Sequence, residues 1–197
     1  MHKFVIACIF LFSVCLIGQT DQRIYDIMNK VSAERIKKDV TTLVNFGTRH
    51  TLSDTISNTR GIGAARRWIK SEFDRISEKC NDCLEVSYQR DLVKKEESNR
   101  IPKDVWVVNV VAIQRGTTYP DRYIIMSGDI DSRVSDANNY TSDSPGANDN
   151  ASGMAGTIEA ARVLSNYKFE NSIIYLGLSG EEQGLFGSQG LVKSAKE

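Results

Sequence analysis

Three short stretches place carboxylates where chemistry can use them. The first is "YIIMSGDIDSR", an apolar run from Tyr123 that breaks into Asp129 and Asp131. Side chains two apart on a strand point the same way, so this stretch aims two carboxylates at one spot. Two like charges that close repel unless something cationic sits between them. The second stretch is "GANDNASG", with Asp149 where a helix should begin, and the third is "SGEEQGLFGS", with Glu181 and Glu182 directly after the apolar "SIIYLGL". Singly, each has an ordinary structural explanation: an Asx-turn, a helix N-cap, a solvated first helical turn. Together they form a pattern, because open α/β sheets bind ligands outside the carboxyl ends of their strands. Carboxylates from three segments meeting there would cost several kcal/mol in repulsion and desolvation unless they hold metal. The simplest cation is one divalent metal ion or a pair of them.

The elements that must carry these groups follow from hydrophobic periodicity. Ile24, Ile27, Met28 and Val31 recur at helical spacing, and Val40, Leu43 and Val44 continue it, with Ser32 as an N-cap. "GTRHTLSDTISNTRG" is a polar loop. The next helix presents Ile62, Ala65, Ile69, Phe73 and Ile76 along one face. Strand-like runs follow at "LEVSYQRDLV", "VWVVNVVAIQRG" and "DRYIIMSG"; the second is nearly continuously apolar, as a strand buried on both faces would be. "DNASGMAGTIEAARVLSNY" is helical and "NSIIYLGLSG" is a fourth strand. Strands alternating with helices predict an α/β sandwich with a mostly parallel central sheet flanked by helices.

Composition narrows the partners. Lys plus Arg and Asp plus Glu both number 25, so no net charge favours nucleic acid or an anionic surface. The first residues, "MHKFVIACIFLFSVCLIGQ", have a basic start and an apolar run too short to span a bilayer comfortably. Residues 1–20 therefore read as a signal peptide, cleaved near Gly18 to Thr20, and predict a secreted or periplasmic protein with no membrane span after its removal. Lipidation at Cys15 or a retained anchor is the weaker alternative. Outside that segment the chain has only Cys80 and Cys83, in "EKCNDCLEV", and a local disulfide is the better reading than half a zinc site.

From about residue 105 the chain resembles the co-catalytic zinc aminopeptidase family of secreted exopeptidases. Two of that family's hallmark segments, P-G-A-x-D-(N/D)-A-S-G and G-E-E-x-G-L-x-G-S, are matched by "PGANDNASG" and "GEEQGLFGS" nearly residue for residue. The resemblance implies a dinuclear zinc site and a peptide substrate. It also implies roles: Asp149 as the carboxylate bridging two metals, Glu182 as a metal ligand, and Glu181 as the general base. A neighbouring carboxylate can take a proton from water acidified by metal as that water attacks the peptide carbonyl.

The third hallmark, His-x-Asp-Ser, is altered. Asp129 stands where the family has a histidine ligand, and Asp131 resembles the carboxylate that orients that histidine. Asp129 is read as a ligand in the histidine's place, which suits zinc and also harder ions such as manganese. Asp131 is grouped with Glu181 as catalytic; metal ligation or pairing with Arg133 are both open to it. The family draws further ligands, an aspartate and a histidine, from segments beyond the G-E-E motif. The histidines here are His2 and His50, and His50 reads as a loop or hydrogen-bonding residue. Residues 21–197 are accordingly expected to be the N-terminal part of a peptidase domain. Two other functions share this fold: single-zinc acyl transfer, as in glutaminyl cyclases, and metal-free binding. Retention of Glu181 and Glu182 beside Asp149 speaks against the last.

Overall fold

The computed structural model describes residues 21–196; the expected leader lies outside them. The described residues fall into two compact units that meet in sequence at Lys30 and Val31. The first contains helix α1 (Gln22–Met28), capped by Asp21, whose side chain accepts the N–H of Arg23. The helical stripe expected over residues 24–31 is interrupted here: the chain turns at Asn29, and Ile24, Met28 and Val31 are exposed.

The second unit is a sheet with helices on both faces. Its elements are α2 (Ala33–Val44), α3 (Gly61–Lys79), β1 (Leu84–Val93), β2 (Val105–Gln114), β3 (Tyr119–Asp129), α4 (Ser152–Leu164), β4 (Asn171–Leu178) and α5 (Phe186–Ser194). Ser32 caps α2 as expected, its hydroxyl accepting the N–H of Arg35. The strand order is β1-β2-β4-β3. β3 and β4 run parallel, joined through α4, while β2 is antiparallel to both β1 and β4. The sheet is thus mixed. The link from β1 to β2 holds only a short 3-10 turn and loop, which returns the chain antiparallel, whereas the helix of the β3–α4–β4 unit permits the parallel return.

The apolar faces meet where the periodicity places them. Ile62, Ala65, Ile69, Phe73 and Ile76 of α3 are buried in one core with Val110 and Ala112 of β2 and Ile173 and Tyr175 of β4. A smaller core on the opposite face joins Val93, Ile101, Val107 and Phe186. β2 is therefore buried on both faces, as its unbroken apolar run implies. β3 is the exception: it lies at the sheet edge, and Tyr123, Ile124 and Ile125 are exposed. Arg162 of α4 ties the helices together through Asp39 of α2 and Glu72 of α3, at 2.5 and 2.8 Å. Cys80 and Cys83 form the local disulfide. Among the described residues no helix is long and apolar enough to cross a membrane.

Candidate active site

The parallel pairing of β3 with β4 brings the first and third acidic clusters together. Asp129 and Leu178 are register partners, and the N–H of Ile130 donates to the Leu178 carbonyl at 2.7 Å. Both strands therefore end at one point, where the chain continues as "IDSR" on one side and "SGEE" on the other. Gly128 brings in the second cluster. A Cβ there would lie 2.4 Å from the Met154 nitrogen and 2.5 Å from the Gly153 carbonyl carbon, so only glycine lets the start of α4 sit this close to β3.

The "SGEEQGLFGS" segment is not a solvated helical turn. Residues 180–185 form a tight turn, with Gly184 and Leu185 N–H groups on the Glu181 carbonyl, and α5 begins only at Phe186. Asn109 of β2 holds the turn at both ends: its Oδ1 accepts the Ser179 N–H at 2.9 Å and its Nδ2 donates to the Gly187 carbonyl at 2.8 Å. Gly187 is required there, since an added Cβ would stand 2.1 Å from the Ser179 carbonyl oxygen.

A cleft opens over these strand ends, lined by Asp129, Leu178, Ser179, Glu181, Leu185 and Ser188. Glu181 is half-buried, and burial first, then the charges of Asp129, Glu182 and Asp149, push its carboxyl above the usual range. Asp129 is raised likewise, by burial and then by Asp149 and Glu182. The four carboxylates thus lie close enough to feel one another. Asp149 is exposed in the turn before α4, next to the cis peptide that joins it to Asn150. It is not a helix N-cap: the capping position is Ala151, with no side-chain cap bond. Glu182 is ion-paired with Arg133, whose Nε donates to its carboxylate at 2.7 Å.

Asp131 lies beneath the cleft. It is 1% exposed, and its carboxylate accepts the backbone N–H groups of Glu181 and Glu182, at 3.3 and 3.2 Å, and the Thr51 hydroxyl at 2.9 Å. Burial pushes it up to about 7, against those hydrogen bonds, which favour the charged form. It does not line the cleft, and Arg133 pairs with Glu182 and not with it. Asp131 thus ties the main chain of the two glutamates to the loop after β3.

Below Asp131 sits a residue that the periodicity does not single out. Arg49 is fully buried, and its guanidinium donates to four main-chain carbonyls: Leu43, Ile130, Pro145 and Gly146. Burial lowers it to about 10, opposed by the charge of Asp131. It ties the loop after β3 to the "PGAN" turn, so it sets where Asp129 and Asp131 lie relative to Asp149. His50 is buried and neutral in tendency: its Nε2 donates to the Ala137 carbonyl, its Nδ1 accepts the Leu52 N–H, and burial lowers its pKa. It is the hydrogen-bonding histidine expected of a loop. Gln183 pins the same Ala137 carbonyl at 2.8 Å.

Residues 109–197 match the model of peptidase family M28. The M28 match includes all five carboxylates named above. Relatives agree over a longer span. The chain is 45% identical over 176 residues to a probable zinc metalloprotease of Pyrenophora teres f. teres, and 43% identical over 161 residues to one of Pyricularia oryzae. These alignments cover 89% and 82% of this chain but 36% and 32% of the relatives, so the chain spans about a third of their length. Among solved structures, the fold is similar to the LapA aminopeptidase of Legionella pneumophila, with a TM-score of 0.69, 19% identity, and coverage of 90% of this chain and 41% of that one. It is also similar to the Fimbriiglobus ruber glutaminyl cyclase, with a TM-score of 0.62, 22% identity, and coverage of 83% and 55%. The α/β sandwich and the resemblance to zinc aminopeptidases and their cyclase relatives both hold.

The carboxylates fit a divalent cation in donor chemistry and in mutual repulsion. A complete ligand set is a different matter: among the described residues, no three His, Cys, Asp or Glu side chains converge closely enough to hold a metal ion.

Proposed function

We propose that this chain forms part of an exported M28 zinc peptidase of the aminopeptidase type, cleaving N-terminal residues from peptides at a two-zinc site. The observation that supports it most is the joint placement of Asp129 and Glu181 on one cleft, with Asp149 and Glu182 near enough to raise both carboxyls. In this reading Asp129, Asp149 and Glu182 would hold the ions. The ions, when bound, supply Lewis acidity toward the scissile carbonyl and acidify water.

The remaining chemistry belongs to the chain. Glu181 lines the cleft, has no ion-pair partner among the described residues, and takes a proton from the attacking water, then returns it to the leaving amine. Asp131 holds the Glu181 and Glu182 main chain, so that one glutamate faces the cleft while its neighbour would ligate. Leu185 and Ser188 also line the cleft.

Metal analysis of the intact protein, paired with turnover of aminoacyl anilides, tests this reading. Two zinc equivalents with release of N-terminal residues is the expected result. One equivalent with cyclisation of N-terminal glutamine would favour the acyl-transfer function, and a metal-free, inactive protein would leave a binding module.

A further inference from the structure

Two Asn-x-Ser/Thr triplets occur in the chain: Asn139-Tyr140-Thr141 and Asn150-Ala151-Ser152. That triplet accepts N-linked glycans on surface loops of proteins that enter a eukaryotic secretory lumen. Two triplets of equal standing in sequence are very unequal in the fold.

Asn150 has no room for a sugar. Its Oδ1 is buried, its Nδ2 lies 3.4 Å from an Asp129 carboxylate oxygen, and Ala151 behind it is fully buried. Even a methyl group on Gly153 would come within 1.9 Å of the Asn150 Oδ1. A glycan on that nitrogen would displace Asn150 from the candidate site.

Asn139 is in the opposite situation. It is partly exposed in the loop between β3 and α4, with Asn138, Thr141 and Ser142 exposed around it. Its Oδ1 accepts the N–H of Thr141 at 3.3 Å, the Thr141 hydroxyl at 3.3 Å and the Ser142 N–H at 3.1 Å. Its Nδ2 spends one hydrogen on Ser142 Oγ, at 2.9 Å. An amide has two such hydrogens, so replacing the other with a sugar leaves every one of these bonds in place. The loop is anchored independently: the Tyr140 ring lies 6.1 Å from His50, and Arg60 donates to the Thr141 carbonyl.

We propose that Asn139 is a glycan acceptor and that Asn150 is not. The inference rests on the export reading of residues 1–20, and the donor is a polyprenyl-diphosphate-linked oligosaccharide presented by a lumenal glycosyltransferase. The Asn139 amide nitrogen forms a bond to the anomeric carbon as the anomeric carbon–oxygen bond breaks. The lipid diphosphate leaves with the bonding electrons, and one amide proton passes to the transferase. Because Ala137 of the same loop is held by His50 and Gln183, the glycan would stand on the segment that borders the "GEEQ" turn.

The test uses the full chain with a heterologous export leader ahead of Met1, made in a eukaryotic host and recovered from the lumen or medium. A failure of the native leader is thereby kept apart from a failure of the site. Amidase release of glycans in heavy-oxygen water, followed by peptide mass spectrometry, reads each asparagine separately. Labelled aspartate at 139 and unlabelled asparagine at 150 are expected. Asn139→Gln and Thr141→Ala should abolish the label, and Thr141→Ser should restore most of it. An unmodified Asn139 in exported chain, or a label at Asn150, overturns the assignment.

Discussion

The buried carboxylate of Asp131 accepts the backbone N–H of Glu182 at 3.2 Å, across 51 positions of chain. With the companion bond from Glu181, this fixes the "GEE" turn to the loop after β3. The second carboxylate of the "GDIDS" pair thus holds the main chain of two other carboxylate residues. Residues that look alike in "GDIDS" therefore divide: Asp129 lines the cleft and Asp131 supports its floor.

Glu181 and Glu182 should separate in their effects. In the intact protein, Glu181→Gln is expected to lower kcat by at least about 100-fold while metal content is kept. Glu182→Gln should lose metal, and it also removes the partner of Arg133. Elemental analysis beside steady-state kinetics checks the pair; metal loss in the first and retention in the second would exchange the two roles.

Asp129→Ala should lower the bound metal by about one equivalent and reduce turnover. Asp129→His should keep metal and move preference from manganese toward zinc, because imidazole is the softer donor. An alanine variant with unchanged metal content would make Asp129 a bystander to binding.

Arg49→Met leaves the buried carbonyl of Ile130 and the part-buried carbonyl of Pro145 without their donor. The loss in unfolding free energy should be large, roughly 3–5 kcal/mol, measured by denaturant titration. Arg49→Lys keeps the charge but not the planar fork that spans four carbonyls, and should recover only part of that loss. A loss below about 1 kcal/mol in the Met variant would show that the guanidinium does not hold these loops.

His50 predicts a pH dependence. Burial lowers its folded pKa below the ordinary value of about 6.5, so the unfolded chain binds the proton more readily. Its contribution to stability is full above about pH 6.5 and is lost as pH falls through the lowered folded value. His50→Gln should flatten this part of the stability profile; an unchanged acid slope in the variant would assign it to other groups.

Much of the framework was legible in local pattern, for physical reasons. A helix face repeats every 3.6 residues, so Ile62, Ala65, Ile69, Phe73 and Ile76 announce a buried stripe, and all five are buried. A strand covered on both faces has no polar side, so the run through Val110 marks β2 as central. The local disulfide favoured for Cys80 and Cys83 is the bond they form. The acidic segments themselves, and the M28 likeness they carry, were also visible without coordinates.

What only the tertiary structure decided concerns direction and depth. Strand pairing is non-local, so no periodicity shows that β2 runs antiparallel to β4 or that β3 lies exposed at an edge. The apolar stripe of Ile24, Met28 and Val31 looks like a core face, yet it breaks at Asn29 and faces solvent. Arg49 and Asn109 act through carbonyls and amides of segments far away in the chain, and such partners leave no mark on the spacing of side chains. The same holds for Asp131 against Asp129: their alternation puts both on one side of an ideal strand, but β3 ends at Asp129. Past that point the chain turns inward, and burial, not sequence spacing, separates the two carboxylates.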